Sequence, residues 1–383
     1  MARWSVALLA ALACSATPKM QTPGDGAAGS GGMPGAGGTF ADAAVTPMDT
    51  AAPADLGAPA DTAATMDTAA PADTGAPRDT GAPTDSGGST TGKPTIFYLE
   101  VGGRVMTADA ENPMPKVVVA SAGQGSDGIA VDLAHGHIYW TNMGVPADDD
   151  GQVRRSNLDG SNVVTLVPTG GTYTPKQMRL EPASGKMYWS DREGMRVMRA
   201  NLDGSTIETL VTTGTGATGR ADNSNWCVGI AVDAAGGWFY WTQKGPDNGR
   251  VGSIRRAHIA MPVGQNSTNR TDIEVLYTGL PEPIDLDLDV EGGLVYWADR
   301  GDDTISRGPI AIPAGKTAAN RTDRQILVTG VREAIGVAID KPRGRMYYTG
   351  ANGQLGRANL DGSGKQELTG AGAMTGIVIL NLP

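Results

Sequence analysis

From residue 95 onward, short apolar runs alternate with polar, glycine-bearing turns. Gly128-Ile129-Ala130-Val131-Asp132 is followed by a loop ending at Gly136, then by Ile138-Tyr139-Trp140-Thr141-Asn142. A polar loop leads to Val153-Arg154-Arg155-Ser156-Asn157, and Asp159-Gly160 turns the chain into Val163-Val164-Thr165-Leu166-Val167. This pattern predicts four short strands per unit. Asp-Gly between two such runs is a hairpin signal, because both central residues must reach positive φ. The same turn recurs at Asp203-Gly204 and Asp361-Gly362. The first run of a unit is apolar nearly throughout, as in Val228-Gly229-Ile230-Ala231-Val232. Such a run fits a strand covered on both faces.

The unit repeats. Tyr139-Trp140, Tyr188-Trp189, Tyr240-Trp241, Tyr296-Trp297 and Tyr347-Tyr348 follow one another at intervals of 49, 52, 56 and 51 residues, and Phe97-Tyr98 stands 42 residues before the first. A period of this length signals a repeat architecture. Buried aromatic pairs in the second strand supply the area that joins one unit to the next. Radial closure of four-stranded sheets limits exposed edges. The run Met374-Thr375-Gly376-Ile377-Val378-Ile379-Leu380 has the form of a first strand with no partners after it. The unit beginning at Thr95 has later strands but no first one. The two ends are therefore expected to complete one blade of an all-β, six-bladed propeller.

The in-phase tetrapeptides are Tyr-Trp-Thr-Asn (139–142), Tyr-Trp-Ser-Asp (188–191), Tyr-Trp-Thr-Gln (240–243), Tyr-Trp-Ala-Asp (296–299) and Tyr-Tyr-Thr-Gly (347–350). Residues 94–383 thus resemble the LDL-receptor class B family, whose YWTD repeats form six-bladed propellers. The family's aspartate is kept at Asp191 and Asp299. The resemblance implies a non-enzymatic module of extracellular recognition, and it is an analogy of fold.

Ahead of the repeats, Arg3 and the apolar stretch Trp4 to Ala13 read as an export signal, too short to span a bilayer as a helix. Ala11-Leu12-Ala13-Cys14 is similar to a bacterial lipobox, with Ala where Leu is usual, and makes Cys14 the expected lipidation site of segment 1–14. Residues 15–93 are dominated by Ala, Gly, Pro, Thr and Asp, a composition that cannot build a core and reads as a disordered tether. Ser15 in place of Asp favours an outer-membrane or cell-surface location over the inner membrane. The second cysteine, Cys227, opens a first strand and reads as a small core residue.

Net charge is −10, which argues against a nucleic-acid partner. The expected partner is an extracellular or envelope protein or a glycan, with membrane contact only through the lipid anchor. Four-stranded blades sort the loops onto two faces. On the first, which carries the 1–2 and 3–4 connections, Asp132, Asp233, Asp289 and Asp340 recur in phase as turn formers. The second carries irregular loops, where binding residues concentrate. Asp127, Lys176, Trp226, Glu282, Arg332 and Glu333 are the ligand-binding candidates there, with Trp226 as a stacking residue or else packed under its own loop. Asp148, Asp149, Asp150, Asp302 and Asp303 are candidate oxygen ligands for calcium; no other cofactor is expected. Two units replace the Asp-Gly turn by insertions, 260–272 and 311–323, both containing Asn-Arg-Thr-Asp, as a second recognition surface or as edge caps.

Gly214-Thr215-Gly216-Ala217-Thr218-Gly219 matches a dinucleotide fingerprint as a string but lacks a βαβ unit, and reads as an inter-blade loop. His135, His137 and His258 have no zinc-ligand spacing. Two alternatives to recognition stay open. One is a lactonase- or esterase-like propeller with a divalent cation held by Asp127, Asn225, Glu282 and Glu333. The other is an architectural envelope protein.

Overall fold

A computed structural model describes residues 92–146, 148–369 and 372–382. The signal, Cys14 and nearly all of the tether lie outside them. The described chain forms six four-stranded antiparallel sheets, numbered here as blades. Blade 1 combines β24 (Met374–Leu382) with β1 (Lys93–Glu100), β2 (Arg104–Asp109) and β3 (Lys116–Val119). Blade 2 is β4 (Ser126–Asp132), β5 (His137–Asn142), β6 (Gln152–Asn157) and β7 (Val164–Val167). Blade 3 is β8 (Pro175–Glu181), β9 (Lys186–Asp191), β10 (Arg196–Asn201) and β11 (Glu208–Thr212). Blade 4 is β12 (Cys227–Asp233), β13 (Trp238–Gln243), β14 (Gly252–His258) and β15 (Glu274–Leu280). Blade 5 is β16 (Pro283–Asp289), β17 (Leu294–Asp299), β18 (Thr304–Pro309) and β19 (Gln325–Thr329). Blade 6 is β20 (Ala334–Asp340), β21 (Arg345–Gly350), β22 (Gln354–Asn359) and β23 (Gln366–Thr369). The two ends share blade 1, as the orphan strands of the sequence require.

Adjacent strand residues point to opposite faces. Each aromatic pair therefore serves two interfaces at once. Tyr139 of blade 2 packs with Trp189 of blade 3, Tyr188 with Trp241, Tyr240 with Trp297, and Tyr296 with Tyr348. Phe97 meets Trp140, and Tyr347 meets Tyr98, which completes the ring. At about 25 cal/mol per Å² and 150–250 Å² per ring, each side chain contributes on the order of 4–6 kcal/mol of burial.

The third motif residue crosses the same seams by hydrogen bonds. The Thr141 hydroxyl accepts from Gly128 N–H (2.8 Å) and donates to the Lys176 carbonyl of blade 3 (2.7 Å). Thr242 does the same between Gly229 and Ile284, and Thr349 between Gly336 and Thr375. Ser190 donates to the Gly229 carbonyl (2.7 Å). Inner-strand backbone groups are thereby satisfied across four seams, and blade 5, with Ala298 at this position, has no such bond.

On the first face Asp132, Asp233 and Asp289 accept backbone N–H bonds within their own turns, and Asp340 pairs with Arg343. The Asp-Gly turns do more than reverse the chain. Gly160 and Gly204 sit at φ 84° and 86°, and a Cβ on either would lie 1.9 and 2.3 Å from the Val118 and Leu166 carbonyls of the preceding blade. Glycine is needed there for conformation and for close approach. Blades 4 and 5 reach the matching carbonyls differently. Arg270 of one insertion donates to Leu210 O (2.8 Å), and Arg321 of the other to Leu276 O (2.9 Å). The guanidinium groups stack on Phe239 and Tyr277 and pair with Asp272 and Asp323. The insertions are edge straps between blades, and the arginine of Asn-Arg-Thr-Asp is the buckle.

Candidate functional site

On the second face, the residue after each motif lies beside the inner-strand end. In blades 3, 4 and 5 it is Arg192, Lys244 and Arg300, whose backbone N–H groups donate to the Thr174, Trp226 and Glu282 carbonyls at 3.0, 3.2 and 3.0 Å. The repeat thus plants three cations in an arc. Lys244 Nζ lies 2.6 Å from Glu282 Oε1 and 2.7 Å from Asp247 Oδ1. Arg300 Nη2 approaches the same two oxygens at 2.5 and 2.9 Å, and its Nη1 lies 3.6 Å from Glu333. Arg192 pairs with Glu193 at 2.5 Å.

The segment between β11 and β12 packs against the first two of these cations. Residues 214–219, expected as a plain inter-blade loop, instead lead into a short helix, α1 (Gly216–Ala221). The Asn225 side chain holds it, donating to the Gly219 carbonyl at 2.9 Å. Trp226 follows. Its indole N–H donates to the Arg220 carbonyl (2.9 Å), and Arg192 and Lys244 lie over its ring at 4.9 and 5.5 Å. At 7% exposure Trp226 packs beneath its own segment, the second of its two expected readings. Arg220 is pinned by Nε to the Glu193 carbonyl (3.0 Å) and lies 4.2 Å over Tyr173. Contacts therefore run unbroken from Tyr173 through Arg220, Trp226, Lys244, Glu282 and Arg300 to Glu333.

Three of the six ligand-binding candidates, Trp226, Glu282 and Glu333, belong to this ladder. Asp127 and Lys176 form a separate buried ion pair, which Gln177 joins by donating to Asp127 Oδ1 at 2.9 Å. Arg332 has an exposed side chain, and its backbone N–H donates to Gln354 (3.2 Å). The acidic calcium candidates are brought to separate tasks. Asp150 accepts from Val145 N–H, Asp302 pairs with Arg324, and Asp303 accepts from Glu333 N–H; Asp148 and Asp149 are exposed turn residues. Among the described residues no three acidic, histidine or cysteine side chains converge on a possible metal position.

The motif aspartates differ. Asp191 accepts from the Tyr173 and Thr174 N–H groups and pairs with Arg196 at 2.6 Å. Asp299 accepts from Glu282 and Gly301 N–H, but its register partner is Thr304, and Oδ2 has no hydrogen-bond partner. Burial, with the nearby Asp302 charge adding to it, pushes the Asp299 carboxyl up to about 7.

A second cluster lies in the channel and was not anticipated. Arg179 of blade 3 reaches past blade 4 to Asp285 Oδ1 (3.2 Å) and the Leu286 carbonyl (2.8 Å) of blade 5. Asp285 and Asp287 in turn accept from Val337 and Ile339 N–H of blade 6 at 3.2 and 2.9 Å. Burial pushes Asp285 up to about 6 and raises Asp287. The strand registers show the signal that could have revealed this. Where blades 2, 4, 6 and 1 carry Gly128, Gly229, Gly336 and Gly376, blades 3 and 5 carry Gln177 and Asp285. Where blades 2, 4 and 6 carry Ala130, Ala231 and Ala338, blades 3 and 5 carry Arg179 and Asp287.

The blades, their closure and their motif chemistry define a six-bladed propeller of YWTD type. No protein-family model matches the sequence. The chain is 39% identical over 289 residues to low-density lipoprotein receptor-related protein 1 of Pyricularia oryzae, covering 73% of this chain and 92% of that one. It belongs to the LDL-receptor-related family of YWTD propellers. It is also 33% identical over 260 residues to the 3-hydroxyacyl-CoA dehydrogenase-like protein LAM1 of Cochliobolus heterostrophus, covering 63% of this chain and 53% of that protein, so it spans about half of that relative. A chain of the crystal structure of a nidogen/laminin complex superposes with a TM-score of 0.59 at 20% identity over 75% of this chain and 98% of its own length, a likeness of fold.

Proposed function

We propose that the protein is an exported recognition module that binds a protein partner through the second face of the propeller. The observation that carries this reading is the ladder from Tyr173 to Glu333. It spans four blades, lies on the irregular loops, and is covered by a helical insertion found in one blade connection alone among the described residues. Trp226, Lys244, Glu282 and Arg300 are buried and brace the loops, while Arg220, Arg332 and Glu333 stay reachable at the ends; charged groups preorganised on such a scaffold suit an interface in which electrostatics sets specificity. The family supports it, and the structural neighbour comes from a complex of two proteins. The hydrolase alternative loses support, because Asp127 and Glu282 are committed to Lys176, Lys244 and Arg300.

Attachment by a lipid at Cys14 completes the proposal. With Cys14→Ser, the protein is expected to move from the membrane fraction to the soluble one. Retention on membranes would count against the anchor.

The face itself is tested with the full chain as bait on an envelope or extracellular fraction, read by quantitative mass spectrometry. Arg332→Glu combined with Glu333→Lys is expected to reduce partner recovery about tenfold or more, as loss of complementary charge does. Lys316→Glu on the opposite face is expected to leave recovery unchanged. The reverse pattern would move the interface to the insertions.

A further inference from the structure

Eight arginines among the described residues lie over aromatic rings. Six of them are neutralised by a carboxylate: Arg192 by Glu193, Arg199 by Glu208, Arg256 by Glu274, Arg270 by Asp272, Arg321 by Asp323 and Arg324 by Asp302. Arg307 bonds Gln325, the Tyr296 hydroxyl and the Leu360 carbonyl, so its fork is filled. Arg220 is different. Its guanidinium makes one hydrogen bond, from Nε to the Glu193 carbonyl, and rests on Tyr173.

Both ends of Arg220 are held. Its carbonyl accepts the Trp226 indole N–H, and its side chain is fixed by the carbonyl on one edge and the tyrosine on one face. The remaining N–H groups present a planar fork with little rotamer entropy left to lose. That is the geometry a carboxylate fills bidentately. The adjacent acid, Glu193, is occupied by Arg192 and does not compete.

We infer that Arg220 is the anchor for an aspartate or glutamate side chain of the partner protein, seated against Tyr173 on the second face. This rests on the recognition reading above and names the chemistry of one contact in it. The anchor belongs to the insertion between blades 3 and 4, not to the repeat.

The test uses the full chain and two libraries of ten-residue, C-terminally amidated peptides. They are identical except that the central residue is Asp or Glu in one and Asn or Gln in the other. Wild type is expected to enrich the acidic library about tenfold to a hundredfold, the range a charged hydrogen-bonded contact supplies. Arg220→Gln is expected to bring the two libraries to parity, and Arg220→Lys to lose most of the preference, because an ammonium cannot present the fork. Thermal midpoint and protection of the buried Cys227 thiol check that the variants fold. Parity on wild type, or undiminished preference in Arg220→Gln, overturns the inference. If preference survives Arg220→Gln but falls in Arg332→Glu with Glu333→Lys, Arg220 is not the anchor and the face still binds. If neither change matters, both readings fall.

Discussion

A chain ending at Ala373 is expected to show no cooperative unfolding transition. The missing strand, β24, is the innermost of blade 1 and pairs with β1 from Lys93 opposite Leu382 to Glu100 opposite Met374. Met374 and Ile377 are buried against Tyr98, Tyr347 and Leu355 at the seam with blade 6. The Thr375 carbonyl accepts from Thr349 of blade 6, and its hydroxyl donates to Ser126 O of blade 2 at 2.9 Å. Removing the strand therefore opens blade 1 and both of its seams together. Each fully buried aliphatic side chain lost is worth about 1.5–3 kcal/mol, against a net stability of roughly 5–15 kcal/mol for a whole domain. Orphaned hydrogen-bonding groups add to the loss. Scanning calorimetry and reaction of Cys227 with a thiol reagent check the result. Burial pushes that thiol up to about 12 and keeps it inert in the native ring, so it reports opening. A transition within a few degrees of the full chain would show that the ring does not depend on its closing strand.

The architecture was legible because its causes are local and repeated. Alternation forces adjacent aromatics such as Tyr188 and Trp189 into two different seams, so the pair recurs wherever two seams must be filled. Asp-Gly turns recur because Gly160 and Gly204 meet the preceding blade in the same way. The orphan run at 374–380 declared closure for the same reason. The site was legible only in outline. The order of strands is enough to place Glu282 and Glu333 on the second-face loops. The two readings of Trp226 could not be separated in the sequence, because its exposure depends on how 214–225 folds back over it, and that is set by single contacts such as Asn225 to Gly219. Arg220 and Tyr173 carry no periodic signature, since each belongs to one connection only. The straps Arg270 and Arg321 were seen as a pair of similar loops, but their target carbonyls sit on neighbouring blades. Arg179 and Asp285 lie in different blades with a third between them. Only a comparison of inner strands position by position exposes them.

Arg179→Met is expected to lower stability by about 3–5 kcal/mol at neutral pH, the cost of stranding a buried charge by removing its partner. Asp285 is fully buried, while 19% of the Arg179 side chain remains open to the channel, so the aspartate bears most of the penalty. A fall in midpoint of roughly 10 °C is expected from the size of the domain. The pH dependence separates this from lost packing. Asp285 and Asp299 have carboxyls raised to about 6 and about 7 in the folded state, above the ordinary value of 3.8. Each binds its proton more tightly folded than unfolded, so the stability these two contribute is fully present below about pH 4 and is lost as pH rises toward 7. Removing Arg179 withdraws the charge that holds Asp285 down, and the decline should steepen and extend above pH 6. Adding Asp285→Asn to Arg179→Met should recover most of the loss at pH 8, because the amide needs no counterion and keeps an oxygen for Val337 N–H. Equal midpoints for wild type and Arg179→Met at pH 8, with parallel pH profiles, would remove the charge cluster from any role in holding blades 3, 5 and 6 together. If the cluster does hold them, the inner strands of blades 3, 5 and 6 are tied to one another by their own side chains. A partner is then left with the loops of the second face, where Arg220, Arg332 and Glu333 stay reachable.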